Sequence, residues 1–124
     1  MNKTKESFLV NRIKSVGYAF KGMLHLLKNE ASIKVQFFIA LLTIGLGFYF
    51  EISSLEWILQ TFAIGLVMSI EGVNTAIEKT ADFIHPEHHT KIGVIKDVAA
   101  GAVCIASFSA IIVGCIIYIP KFMS

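Results

Sequence analysis

The sequence predicts an all-α integral membrane protein with three transmembrane helices. Of its 124 residues, 55% are hydrophobic and only 16% are charged, whereas about 25% of the residues in a soluble domain are charged. The mean hydropathy is +0.69, and charges are absent from three long runs, at residues 35–50, 58–70 and 98–120. This composition excludes an ordinary soluble domain, and the length predicts a single domain.

The first predicted element is an amphipathic helix over residues 8–28. Lys14, Lys21 and Lys28 lie seven residues apart on one side of it. The other side carries, at helical spacing, Phe8, Ile13, Val16, Phe20, Leu24 and Leu27. A basic amphipathic helix of this kind is typical of the cytoplasmic membrane interface. The simpler alternative is a helix that only anchors the chain.

Membrane helices are predicted over residues 33–50, 55–84 and 97–119. Crossing a bilayer takes about 20 apolar residues, so the first helix needs the long stem of Lys34 to reach the headgroups. The second follows an N-cap at Ser53 or Ser54 and passes beyond the membrane until Pro86 ends it. A cytoplasmic loop is expected over residues 85–95.

The distribution of basic residues predicts the orientation. The segment before the first span and the second interhelical connection are basic, whereas the first connection, residues 51–56, has two acids and no base. The positive-inside rule therefore places the N-terminus and the second connection in the cytoplasm and the C-terminus outside. The basic residues that carry this prediction are Lys3, Lys5, Arg12, Lys14, Lys21, Lys28, Lys79, Lys91 and Lys96.

The second membrane helix carries one polar stripe, formed by Glu71, Asn74, Thr75, Glu78 and Asp82. At about 100° per residue these positions share one helix face. A solvated face is the usual explanation, but this stripe begins at membrane depth and its flanking residues are apolar or small. Because a carboxylate is costly there, Glu71 is expected to face the interior and to have a function.

Phosphoryl transfer is the chemistry that this stripe favours. Neighbouring carboxylates repel each other unless cations share the site, and Mg²⁺ is commonly held by one or two carboxylates together with substrate phosphates. Glu30, Glu78 and the Lys96-Asp97 pair are all predicted at the same membrane boundary. The sequence has no glycine-rich phosphate loop of the soluble type, so an ATP site has to be assembled in another way.

These residues resemble the signature of the small prokaryotic diacylglycerol kinase family. The signature comprises the pattern E-x-x-N-[ST]-A-x-E-x-x-x-D over residues 71–82 and the Lys96-Asp97 pair. The similarity extends to Gly17-Tyr18, Lys21-Gly22 and Asn29-Glu30. It is strongest to the Gram-positive branch, whose members resemble undecaprenol kinases.

The resemblance implies that residues 1–124 form one membrane kinase domain, assembled as a homotrimer, that uses Mg-ATP to phosphorylate a lipid alcohol. It makes Glu71 the general base, Asn74 and Lys96 catalytic, and Glu30 and Glu78 the ligands of Mg²⁺. It implies an ATP site formed by Lys14, Tyr18, Glu30, Glu78, Asp82, His89, Gly93, Lys96 and Asp97. It gives no clear role to Arg12, His25, His85 or His88.

Alternatives remain at each level. Undecaprenol is the preferred substrate and diacylglycerol the second choice. Glu71 could instead be a packed carboxyl group, and Lys96 could merely reach toward the headgroups. A proton-coupled transporter would also bury an acid, but the first and third spans have no charge. A non-catalytic assembly protein does not explain why polar residues of three spans meet at one depth. No nucleic-acid partner is expected.

Overall fold

The computed structural model describes residues 7–124, which form four helices. These are α1 (Phe8–Asn29), α2 (Ala31–Tyr49), α3 (Ser54–Ile84) and α4 (Thr90–Met123). The last three are long and apolar enough to cross a membrane, which confirms the three predicted spans. A helix also occupies the predicted position of α1, whereas Lys3 and Lys5 lie outside the described residues.

Polar side chains fix where the helices begin. Ser7 caps α1 by accepting a hydrogen bond from the amide of Val10 at 3.1 Å. Ser53 caps α3 in a capping box, because its hydroxyl accepts from the amide of Glu56 while the carboxylate of Glu56 accepts from the amide of Ser53. The predicted cap and the predicted end of α3 before Pro86 are thus confirmed.

The turn between α2 and α3 ends α2 in a Schellman motif. The amide of Ile52 donates to the carbonyl of Gly47, and the amide of Glu51 donates to that of Phe48. Glu51, the donor of the second bond, has a φ of +51°. This left-handed conformation is normally taken by glycine. We call this end of the bundle the turn end, and the end at residues 85–89 the loop end.

The loop predicted over residues 85–95 is shorter in the structure, because α4 begins at Thr90. His89 acts as its N-cap, its side chain accepting a hydrogen bond from the amide of Lys91 at 3.0 Å. At its other end α4 continues past residue 119 to Met123 with Pro120 inside it. Pro120 cannot donate to the carbonyl of residue 116 and its ring crowds that carbonyl, a cost that falls here in the last turn of the helix.

The three long helices form an open bundle. The most extensive contact is between α3 and α4, while α2 packs on α3 and α1 packs on α2. At the turn end Ile52, Ile117 and Tyr118 form a small buried core. The hydroxyl of Tyr118 lies within hydrogen-bond distance of both the carbonyl of Thr43 and the side chain of Gln60.

Close packing explains one of the two neighbouring glycines of α2. A Cβ atom at Gly47 would lie 2.7 Å from the ring of Trp57, so only glycine fits there without movement. The same atom at Gly45 would meet nothing within 4 Å. The close approach of Trp57 therefore accounts for glycine at position 47, whereas no contact within the described chain does so at position 45.

Candidate active site

Glu71 is buried in the interior of the bundle, as its position in the polar stripe predicts. It is 9% exposed, and its neighbour on the same helix face, Asn74, is 7% exposed. Two side-chain amides approach its carboxylate: Gln36 Nε2 of α2 donates to Oε1 at 3.1 Å, and Asn74 Nδ2 lies 3.5 Å from Oε2. Each oxygen of Glu71 therefore has one neutral donor, which offsets part of the cost of burial.

The two amides leave two acceptors unsatisfied beside Glu71. An ionised carboxylate can only accept hydrogen bonds, so both amides must turn their NH₂ groups toward it. As a result Gln36 Oε1 and Asn74 Oδ1 are buried without a partner among the described residues. Unsatisfied buried acceptors are uncommon in folded proteins and call for an explanation.

An apolar groove opens beside this cluster. Its volume is about 340 Å³, and it runs between α2, α3 and α4 from Gln36 toward Gln60. The wall is formed mainly by aliphatic and small residues, among them Ala40, Ile64 and Val67. The groove reaches Gln36, the side chain that donates to Glu71.

The polar stripe of α3 leads from this buried cluster to an exposed end. Thr75 is buried, whereas Glu78 and Asp82 are exposed. At about 1.5 Å per residue, the eleven residues from Glu71 to Asp82 correspond to about 16 Å along the helix axis. The stripe therefore connects a membrane-embedded carboxylate with the polar loop end of the bundle.

A second, polar cavity of about 250 Å³ lies at the loop end. It brings together Asp82, His89, Gly93 and Lys96, four of the residues predicted to bind ATP. Lys96 Nζ forms an ion pair with Asp82 Oδ1 at 2.6 Å, which joins the ends of α3 and α4. The early start of α4 is what places Gly93 and Lys96 on one helix beside this cavity.

Glu30 contacts α3 through Lys79. The carboxylate of Glu30 lies 3.4 Å from Lys79 Nζ and is about one-quarter exposed. It occupies the break between α1 and α2, and its side chain makes no capping hydrogen bond. The Glu30–Lys79 pair was not predicted from the sequence, although Lys79 directly follows Glu78 in the motif.

The predicted magnesium ligands are compatible with a metal held by few protein groups. Glu30 contacts Lys79, the residue next to Glu78 on α3. Glu30 and Glu78 both provide the hard oxygen donors that Mg²⁺ prefers. Within residues 7–124 there is no group of three or more His, Cys, Asp or Glu side chains able to hold a metal ion. A metal here would depend on two carboxylates and on substrate phosphate oxygens.

Five of the predicted ATP-binding residues line neither cavity, namely Lys14, Tyr18, Glu30, Glu78 and Asp97. Lys14 and Tyr18 of α1 and Asp97 of α4 are exposed in the single chain. Sequence reasoning missed Gln36, the closer of the two donors to Glu71. The available signal was a single amide in the uncharged run of residues 35–50, where polar side chains are expensive.

The fold and the site together define an integral membrane enzyme. A carboxylate at membrane depth, an apolar groove and a polar cavity at one end of the same helix suit chemistry between a lipid and a polar co-substrate. Residues 17–118 match the family described as "Prokaryotic diacylglycerol kinase". The chain therefore belongs to that family, and it is a lipid kinase.

Relatives with curated names agree with this assignment. The chain is 36% identical over 108 residues to an undecaprenol kinase of Bacillus subtilis (strain 168), covering 87% of this chain and 88% of the relative. It is 33% identical over 105 residues to a diacylglycerol kinase of Escherichia coli (strain K12), covering 85% and 86%. A diacylglycerol kinase of Haemophilus influenzae is 33% identical over 102 residues, covering 82% and 86%.

Proposed function

We propose that this lipid kinase transfers the γ-phosphate of Mg-ATP to the hydroxyl group of undecaprenol, giving undecaprenyl phosphate. The observation that carries the proposal is the position of Glu71, which is buried and hydrogen-bonded to Gln36 at the end of the apolar groove. Its helix, α3, also provides Asp82 to the polar cavity. The similarity to the Bacillus subtilis undecaprenol kinase supports the same substrate.

The polarity of the site favours a polyprenol over diacylglycerol. A polyprenol has a single polar group, its terminal hydroxyl, whereas diacylglycerol also has two ester groups beside its hydroxyl. Ester carbonyls need donors when they leave water. The unsatisfied buried atoms next to Glu71 in the described chain, Gln36 Oε1 and Asn74 Oδ1, are both acceptors. The apolar groove would hold the first isoprene units, with the hydroxyl at Glu71.

In the proposed reaction Glu71 is the general base. The carboxylate accepts the proton of the lipid hydroxyl as the oxygen attacks the γ-phosphorus of ATP, the bond to the β-phosphate oxygen breaks, and ADP leaves. Asn74 keeps the carboxylate and the hydroxyl in place. Lys96 leaves its pairing with Asp82 to bind the transferring phosphate, since a flexible ammonium group suits that task.

Glu30 and Glu78 are the proposed ligands of Mg²⁺, which when bound neutralises phosphate oxygens. In the free chain the positive charge next to Glu30 is that of Lys79. The remaining groups of the loop-end cavity, Asp82, His89 and Gly93, would bind the nucleotide. Lys14, Tyr18 and Asp97 would complete the ATP site from the exposed faces of α1 and α4.

The active site is proposed to be shared between the subunits of a homotrimer. In one chain Lys96 contacts Asp82, about 16 Å along α3 from Glu71. A phosphate held by Lys96 is therefore poorly placed to reach the base of the same chain. In a shared site, the phosphate held by Lys96 of one subunit would instead meet Glu71 of another subunit.

The proposed orientation places the loop end in the cytoplasm, where ATP is available. Lys79, Lys91 and Lys96 all lie toward this end of the bundle, as the positive-inside rule requires. In this orientation α1 lies along the cytoplasmic membrane surface, with its exposed apolar residues Phe8, Ile13 and Phe20 in the lipid.

Phosphate transfer to two lipids tests the proposal. The purified protein, in mixed micelles with Mg-ATP labelled at the γ-phosphate, is given undecaprenol and diacylglycerol in separate reactions. Faster labelling of undecaprenol supports the proposed substrate. Faster labelling of diacylglycerol would replace undecaprenol while keeping the mechanism, and labelling of neither lipid would contradict both.

A further inference from the structure

Gln36 lies outside the motifs that carry the resemblance to this family, yet among the described residues it makes the shortest hydrogen bond to the side chain of Glu71. We propose that Gln36 is a positioning residue, which holds the carboxylate of Glu71 in the orientation that accepts the proton of the lipid hydroxyl. This inference rests on the proposed function, because it assigns Glu71 the role of base.

The geometry favours Gln36 over Asn74 as the residue that fixes Glu71. The Gln36 donor lies 3.1 Å from its carboxylate oxygen, whereas the Asn74 donor lies at 3.5 Å, the limit of a hydrogen bond. Gln36 also reaches across from α2, while Asn74 is on the same helix as Glu71. Within residues 7–124, Gln36 is therefore the residue that holds the carboxylate relative to a second helix of the groove.

Packing alone does not account for an amide at this position. The hydrogen bond to Glu71 leaves Gln36 Oε1 buried without a partner in the described chain, and an unsatisfied buried acceptor destabilises a fold. A methionine has a similar length and no polar atom to leave unpaired. The amide is thus better explained by what it does to Glu71 than by packing.

Gln60 provides a matched comparison within the same groove. Gln60 is buried and Gln36 is half-buried, and in the described chain each has one unpaired amide atom. Both line the same cavity. The partner of Gln60 is Tyr118, near the turn end, rather than Glu71. Eleven residues separate Gln60 from Glu71 on α3, which is about 16 Å along the helix.

The experiment compares Gln36→Met with Gln60→Met, using Mg-ATP and whichever of the two lipids the wild-type protein phosphorylates faster. We expect Gln36→Met to lower kcat about 10- to 100-fold, because a small misplacement of a reacting group has effects of this size. Its KM for ATP should stay close to the wild-type value, whereas its apparent Tm should fall, because the buried carboxylate of Glu71 loses a donor. Gln60→Met also removes a hydrogen-bond partner, that of Tyr118, and should lower the apparent Tm by a similar amount while losing less kcat.

A double variant tests whether Gln36 acts through Glu71. If it does, adding Gln36→Met to Glu71→Gln should cause no further loss, because the group that Gln36 positions is already disabled. Gln36→Leu replaces Gln36→Met in each comparison if the methionine variant does not fold.

Two results would overturn the inference. One is a Gln36→Met enzyme with wild-type kcat; the other is a further loss in the double variant as large as the loss in the single one. Both are distinct from failure of the proposed function, in which the wild-type protein itself phosphorylates neither lipid and which would overturn this inference as well.

Discussion

Glu71 and its two amides combine a chemical need with a structural cost. A carboxylate in an apolar span is expensive, and hydrogen bonds from Gln36 and Asn74 reduce that cost. The same bonds leave two carbonyl oxygens unpaired. Local features that lower stability are often found where a protein performs its function, so this cluster is the natural centre of the site.

A different residue, Glu51, offers a test of local conformation. Its φ of +51° is in the left-handed region, which costs a non-glycine residue about 1–2 kcal/mol. Because glycine loses about 0.5–1 kcal/mol more entropy on folding, Glu51→Gly should stabilise the protein by roughly 0.5–1 kcal/mol, the difference between these effects. The measurement is the apparent Tm in detergent.

Glu51→Ala is the control for this prediction, since alanine removes the same side chain but keeps the Cβ that conflicts with positive φ. It should give no gain in Tm, and kinase activity should be unchanged in both variants. A gain of equal size in the alanine variant would mean that the side chain of Glu51, rather than its backbone, is responsible.

The sequence predicts residue positions well where a regular helix determines them. The polar stripe of α3 follows from helical spacing, and Glu71 is buried as expected. The hydrogen bond from Gln36 to Glu71 joins residues 35 positions apart on two helices. Spacing within one helix carries no information about such a contact, because it depends on how α2 is rotated against α3.

At the scale of elements, α2 packs closely against the start of α3 because residue 47 is a glycine and has no side chain. A Cβ at Gly47 would lie 2.7 Å from the ring of Trp57 and 3.2 Å from Ile52. Gly47→Ala should therefore destabilise the protein by about 1–3 kcal/mol, the usual cost of overpacking. Thermal unfolding of the purified variant measures this loss.

Gly45→Ala is the matched control, two residues away on the same helix. Nothing lies within 4 Å of the added atom, and alanine favours a helix over glycine. We expect an unchanged or slightly raised Tm. If both variants lost the same stability, close contact with Trp57 would not be the reason for glycine at position 47.

The start of α4 shows which element boundaries hydropathy predicts and which it does not. The apolar run that begins near residue 98 marks the membrane span, but the helix begins at Thr90 in polar sequence. A helix can continue beyond the membrane as long as its backbone hydrogen bonds and its cap are satisfied. The His89 cap is an uncommon choice, so sequence rules for helix starts gave no warning of it.

At the scale of the whole molecule, one chain covers little of its own membrane surface. The helices leave large side chains such as Phe38, Leu42, Phe62 and Ile105 exposed, and α2 contacts mainly α3. Lipid covers such side chains in a monomer, and neighbouring subunits cover them in an assembly. Neither the sequence nor a single chain fixes the choice, because contacts between helices in a membrane depend on packing detail.

Mixing two inactive variants tests the proposed shared site. Glu71→Gln removes the base and Lys96→Met removes the phosphate contact, so each should be inactive alone. If the base and the phosphate contact of one site come from different subunits, co-assembly should restore part of the activity. The mixture must be denatured and refolded together, with separately refolded proteins as the control. Failure of every mixed assembly would place the site within one subunit.

The most direct test of the account is the rate of phosphate transfer to lipid by Glu71→Gln. Glutamine keeps the shape of the side chain but lacks the basic carboxylate, so loss of general base catalysis should lower kcat about 10²- to 10⁴-fold. The polar cavity lies at the other end of the stripe, and ATP binding should therefore be retained. A Glu71→Gln enzyme that binds ATP normally and transfers phosphate at the wild-type rate would contradict the claim that Glu71 is the base.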